Sequence, residues 1–353
     1  MSKKTTSDQQ SGQQTKASPK SKSHKPALSA ETTSSSSDPR ALEKVSAGMT
    51  RLLGEQEFET IEEANAYLQQ YVGTKDFPPP ARRLTMLERA QDVMYKAWEA
   101  RSRKQRIKLA REALALCADC ADAYVLLAEE TTRTSEAALK LYEEGMRAGE
   151  RALGEKVFAE DAGQFWGILA TRPYMRARAG VAECLWEMGE SEHAIAHFRE
   201  LLRLNPNDNQ GNRHLLAQLL LQEERNDELC ELLDAYKDEA SAEWTFTRAL
   251  WKFRSEGASQ SSRHSLQEAF ASNVFVPLFM LEINPLPLEV PEYISRGEES
   301  EGVHYVLRYG AYWLETPGAI EWFAEVFTEA LDEVEKKVKR EENERKLRLI
   351  MGH

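Results

Sequence analysis

Residues 175–208 read MRARAGVAECLWEMGESEHAIAHFRELLRLNPND. Small and apolar side chains recur there at spacings of three and four in two runs, parted by Gly189 and closed by Asn205-Pro206-Asn207. That is the pattern of two amphipathic helices joined by a tight turn. Ala182 and Ala194 let the two helices approach closely, Leu185 and Phe198 fill the wedge between them, and Pro206 closes the second helix.

Stepping outward by 34 residues, the period of one repeat architecture, keeps the register. Residues 209–242 place Leu215, Leu216, Leu219, Leu232 and Ala235 at apolar positions, and 243–276 place Phe246, Ala249, Leu250, Phe253, Leu266 and Ala269. Backward, 87–120 offer Met94, Ala97, Ala110 and Ala113, and the next unit starts at Tyr124, Leu127 and Ala128 and continues with Ala138 and Tyr142. An irregular insertion at about 150–174, rich in aromatics (Phe158, Phe165, Trp166, Tyr174), interrupts the series. With small residues and an aromatic in paired helices and Pro at the end, the unit resembles the tetratricopeptide repeat. The expected fold is all-α: a TPR-like α–α solenoid of about five helical pairs over 84–276, whose first helices line a concave groove.

Composition sets the flanks. Residues 1–40 hold almost no large apolar side chain and carry seven basic against three acidic residues, so a disordered, cationic tail is expected. The body is acidic, since the whole chain has a net charge of −12. That balance argues against nucleic-acid binding except weakly through the tail. A short helical segment after Thr60 and a linker at 73–83 around Phe77-Pro78-Pro79-Pro80 lead into the array. No apolar run reaches the ~20 residues of a membrane span. MSKKTTSDQQ does not lead into the apolar stretch of a secretory signal. Four cysteines in 353 residues do not make a disulfide framework, so a cytoplasmic location is expected.

Past the repeats come Asn273-Val274-Phe275-Val276-Pro277, Ser295-Arg296-Gly297-Glu298, His304-Tyr305, Trp313 and Gly318-Ala319-Ile320. With Thr245 to Arg254, these resemble the C-terminal part of the suppressor-of-tumorigenicity protein seven family over roughly 175–330. In that family a helical array precedes an N-P-x-V-P run and an R-G-D/E-S-E-A segment. The chain departs in having Phe275 where that family has His, and in lacking an apolar membrane segment. The resemblance implies a binding or scaffolding role and supplies no catalytic residue. Pro285, Pro287 and Pro291 mark 277–302 as a Pro-rich connector that is extended over 282–302, expected to cap the open core with Leu286, Leu288 and Val290. A final cap over 303–353 has a helix starting near Pro317, with an apolar stripe of Ile320, Phe323, Phe327, Ala330, Val334 and Val338.

The constellations that could carry chemistry are sparse. Cys117 and Cys120 form the only close cysteine pair and lack the further ligands of a zinc site. His193 and His197 lie four apart on the outer, solvated side of their helix, without an H-E-x-x-H pattern. No phosphate-cradling glycine loop and no G-x-S-x-G elbow occurs. No catalytic residue, metal or cofactor is therefore assigned. An enzyme of hydrolase type, with Asp161 and Arg172 in the 150–174 insertion, stays as the alternative of another class.

The repeat register places Arg176, Glu183, Gln210, Arg213, Thr247, Trp251 and Arg254 on the groove-facing side of successive first helices. Arginines beside an aromatic can grip a carboxylate bidentately. They can equally pair with the many neighbouring glutamates. The expected function is a protein-interaction adaptor that holds a peptide or partner protein, an acidic one if the arginines face it. Charge reversal at Arg176 and Arg213 should then weaken capture without lowering the melting temperature. The alternative is a regulatory or oligomer-forming subunit using its outer and terminal faces, which an exposed Trp322 or Phe323 would favour.

Overall fold

The computed structural model describes residues 39–71 and 77–351. The tail expected over 1–40 therefore lies almost wholly outside the described residues, as does part of the 73–83 linker. A single 3-10 turn at Pro39–Leu42 leads into α1 (Glu43–Gly54) and α2 (Ile61–Gln69). Thr60 caps α2 by accepting a hydrogen bond from the Glu63 amide, as its position before the first periodic residue requires.

The five expected pairs are present. They are α3 (Met86–Glu99) with α4 (Arg103–Leu116), α5 (Ala121–Thr131) with α6 (Ser135–Glu160), and α7 (Arg172–Glu187) with α8 (Ser191–Leu204). Then follow α9 (Asn212–Gln222) with α10 (Asn226–Ala235) and α11 (Ala242–Glu256) with α12 (Gln260–Ser272). No strand occurs among the described residues. Each pair packs on the next, α4 on α5, α6 on α7, α8 on α9, α10 on α11. Ala182, Ala194 and Phe198 are fully enclosed, so the wedge read from the sequence is filled as expected. The α6–α7 contact is tighter still: a Cβ at Gly180 would lie 2.4 Å from the Tyr142 ring, so a larger residue would have to push that ring aside.

The insertion belongs to the core. Helix α6 overruns the repeat and breaks at Gly154, which takes φ +72°, and two short turns (Phe165–Gly167 and Leu169–Thr171) return the chain to α7. Phe158 packs 5.2 Å from the Phe165 ring and 4.9 Å from that of Tyr174, so the extra residues plug the side of the array.

Beyond α12, the short α13 (Phe275–Met280), α14 (Glu299–Glu315) and α15 (Ala319–Met351) complete the fold. Ala242 at the start of α11 meets Glu301 at the start of α14, and Arg254 near its end meets Thr316. Helix α14 thus runs beside α11 in the same direction, as the first helix of a sixth pair with α15. Trp313, Trp322 and Phe323 bury themselves in this end of the core. They leave nothing for the connector to cap, and the expectation for it fails: Leu286, Leu288 and Val290 are exposed, Leu288 completely. Helix α15 starts at Ala319, near Pro317 as expected, after Gly318 at φ +76° has turned the chain. Its stripe is buried at Phe323 and Phe327, then outruns the body at Val334 and Val338 and continues as a solvated helix.

Candidate functional site

On the face built by the first helices, the most heavily bonded side chain is Arg176 of α7. Its Nε and Nη2 donate to the two carboxylate oxygens of Asp122 on α5, both at 2.8 Å. Its Nη1 and Nη2 donate to Glu43 of α1 at 2.9 and 3.2 Å. Asp122 is fully enclosed and also accepts from Gln91 on α3 at 2.8 Å. Burial alone would drag the guanidinium of Arg176 down, but Asp122 and then Glu43 outweigh it and hold it above its ordinary value. Arg172, one turn earlier, donates to the same Glu43 oxygen at 3.1 Å and to the Trp166 carbonyl at 2.8 Å.

Helix α1 lies along this face. Arg40 grips Glu129 of α5 at 2.9 and 3.0 Å, Lys44 reaches Glu99 of α3 at 3.0 Å, and Arg51 reaches Asp92 at 3.0 Å. The guanidinium groups of Arg40 and Arg176 both lie over the ring of Trp98, at 5.2 and 5.5 Å. The chain's own N-terminal helix therefore occupies the part of the groove where Arg176 was expected to meet a partner. The expectation that reversing Arg176 leaves the melting temperature untouched is corrected by the same geometry, since a glutamate there would face two buried carboxylates.

The other six expected groove residues do not form one open surface. Arg213 on α9 is held by Asp208 at 3.1 Å and Glu239 at 2.6 Å. Gln210 is half-buried in the turn before α9, and Thr247 is buried beside the Tyr305 phenol of α14. Trp251 donates its indole N–H to the Asn226 carbonyl at 2.9 Å. Arg254 donates to Thr316 at 2.9 Å and to the Leu221 and Tyr312 carbonyls at 3.0 and 3.3 Å. It thereby ties together the ends of α9 and α14, where helix carbonyls lack partners of their own. Pairing with the chain's own carboxylates, the second option that the sequence left open, is what Arg176 and Arg213 do, while Arg254 bonds a hydroxyl and two carbonyls.

Glu183 is different: its side chain reaches water on α7 but is hemmed in by the protein around it. The protein around it, and then the like charges of Glu187 and Glu129, push its carboxyl up to about 7. A carboxyl raised in the fold keeps its proton where the unfolded chain has already lost it, so stability falls as pH rises from the ordinary value near 4.5 toward about 7. Glu183→Gln is accordingly expected to raise the melting temperature at pH 8, with the gain gone by about pH 4–5. Equal gains at both values in thermal melts would contradict this.

A second polar centre gathers residues that carried the family resemblance. Asn273 accepts from the amides of Phe275 (2.9 Å) and Val276 (3.2 Å) and donates to the Glu298 carbonyl and to Glu301, both at 3.0 Å. Glu301 accepts further from the Ala242 amide at 2.9 Å and the Gly297 amide at 2.7 Å. Arg296 bonds Glu239, which also holds Arg213, so the knot continues into α9. Gly302 fits because a Cβ there would stand 2.9 Å from that of Phe275. This arrangement fastens both ends of the connector. It is built as a joint, with its donors and acceptors turned on one another.

The remaining candidates resolve simply. Cys120 is buried, and burial pushes its thiol up to about 12, far from a reactive thiolate. His193 is exposed as expected, but His197 is half-buried, and burial, then Arg178 and His193, push it down to about 4. No group of three His, Cys, Asp or Glu among the described residues could hold a metal ion. Arg172, proposed above as part of a hydrolase site, is occupied by Glu43 and Trp166. Sequence reasoning missed Glu43 and Asp122. The signal for Asp122 was a lone carboxylate in the apolar run Ala121–Ala128.

The family model described as ST7 protein matches residues 84–344, from just before α3 to within α15. The chain is similar to the human suppressor of tumorigenicity 7 protein-like, 30% identical over 258 residues, covering 66% of this chain and 44% of the relative. It is also similar to the protein ST7 homolog of Caenorhabditis briggsae, 27% identical over 297 residues, covering 69% and 52%. The homolog of Drosophila pseudoobscura pseudoobscura is 28% identical over 260 residues, covering 65% and 46%. The chain spans about half the length of these curated relatives. The match begins well before residue 175, where the resemblance read from the sequence started. A family model that matches residues 84–344, well over half of the chain, settles the family: the chain belongs to the ST7 proteins.

Proposed function

We propose that the chain is an interaction scaffold without a catalytic step of its own, holding helical segments of partner proteins along the face of its first helices. The observation that carries this reading is α1 itself, a helix seated on that face through matched charges. The part left open runs past Glu183 and Glu187, so it favours a partner segment with lysine or arginine over the acidic peptide first expected. A cytoplasmic setting is part of the reading, and four free thiols fit it. No helix among the described residues is long and apolar enough to cross a membrane.

The test is photo-crosslinking from position 183 in full-length protein, compared with position 193 on the outer side. A partner set recovered from 183 alone, and lost in Glu187→Lys, is the expected result. Equal recovery from both positions overturns the reading.

A second reading, the oligomer-forming or regulatory subunit, loses its expected marks, because Trp322 and Phe323 are buried. It gains another in the connector, where Ile283, Leu286, Leu288, Val290, Tyr293 and Ile294 are all exposed. A sedimentation mass that rises with concentration and drops in Leu288→Asp would favour it.

A further inference from the structure

Helix α1 is attached unlike any helix of the array. Among the described residues, Leu52 is its one buried apolar side chain, with Ala47 partly buried against the core and Gly48 close to the Phe77 ring, whereas α5 buries six. What holds α1 is charge. Arg40, Lys44 and Arg51 meet Glu129, Glu99 and Asp92, and Glu43 lies between Arg172 and Arg176. The three outer pairs are partly exposed, a setting in which each ion pair contributes little and is weakened by salt. The array does not need α1 to neutralise Arg176 fully, because Asp122 already takes two of its N–H groups. Any carboxylate brought to the same place would satisfy the rest.

The geometry points to an exchangeable site: the Arg172–Arg176 pair and the acidic rim of Asp92, Glu99 and Glu129 bind an amphipathic helix bearing one carboxylate among flanking cations, and α1 is its resident, displaceable occupant. The order of contacts sets the ligand's pattern: a cation, then a carboxylate three residues on with a cation beside it, then a cation seven residues further, as Arg40, Glu43, Lys44 and Arg51 supply it. Exchange rests on the scaffold reading, with α1 guarding part of the partner face.

Hydrogen exchange on the full chain is the first measurement. Amides of 44–54 are expected to exchange about tenfold faster at about 500 mM than at about 50 mM salt, while those of α5 do not change. The second uses a fluorescent synthetic peptide of residues 39–54. It should bind full-length Lys44→Glu/Arg51→Glu protein, whose own helix is released, at least about tenfold more tightly than wild type. A peptide with Glu43→Lys should not bind. Salt-independent protection of 44–54, unchanged protection in the double variant, or equal binding of both peptides overturns exchange. Peptide exchange without position-183 crosslinks overturns the scaffold reading and leaves this site standing, and crosslinks without exchange do the reverse.

Discussion

Arg176→Ala is expected to lower the melting temperature by about 6–20 °C. The substitution leaves Asp122 fully enclosed with only the Gln91 amide, and strands Glu43 on a face it no longer matches. Breaking a buried pair by removing one partner costs about 3–5 kcal/mol, and 1 kcal/mol moves the midpoint of a large domain by about 2–4 °C. The loss falls first on the pairs α3–α4 and α5–α6, since units of a helical array depend mainly on their neighbours. Arg176→Lys keeps the charge but not the planar fork, so it should fall between the variant and wild type. Adding Asp122→Asn to Arg176→Ala should recover part of the loss, because the neutral amide no longer leaves a bare charge enclosed. Circular-dichroism melts decide the matter. A midpoint within 2 °C of wild type for Arg176→Ala would show that water reaches Asp122 and that the network carries no weight.

Glu301→Ala is expected to be nearly as damaging. Three donors, the amides of Ala242 and Gly297 and the Asn273 side chain, lose their acceptor together in a site that is 6% exposed. An unsatisfied buried donor costs about 1–3 kcal/mol, and partial rescue by water brings the total to about 3–5 kcal/mol. Glu301 also stands in the first turn of α14, where a negative charge is favoured by the helix dipole. Glu301→Gln keeps one acceptor and should lose less than half as much. The diagnostic readout is local: amides of 275–276 and 295–302 should lose hydrogen-exchange protection in the alanine variant before α7 and α8 do. Unchanged protection there, even with a lowered midpoint, would mean that the joint is held by apolar packing of α13 and not by the carboxylate.

Both effects come from carboxylates whose weight could not be read from residue type. In the sequence Glu43, Asp122 and Glu301 are three of 58 acidic residues on an acidic chain. Arg176 lies 54 positions from Asp122 and 133 from Glu43, and Glu301 reaches back 59 positions to Ala242, so no local pattern announces these pairings. The groove residues show the same limit from the other side. Position within the 34-residue register placed Arg176 and Arg213 correctly on first helices. It was silent on whether α1 or α14 would cover them. The connector went wrong for a related reason: residues 281–298 form no helix, but whether their leucines were needed to close the core depended on Trp313 and Phe323 filling that space first.

The order of helices, their pairing and the wedge at Phe198 were determined by the sequence alone, because each depends on contacts within one repeat or between adjacent ones. Short-range periodicity carries that information whatever else the chain does. Tertiary structure alone decided which charges are sheltered, which face stays open, and that α1 returns across α3, α5 and α7. Those outcomes depend on how far the stack brings distant segments together, and Coulomb and desolvation energies are set by separation and burial, quantities that spacing along a chain does not encode.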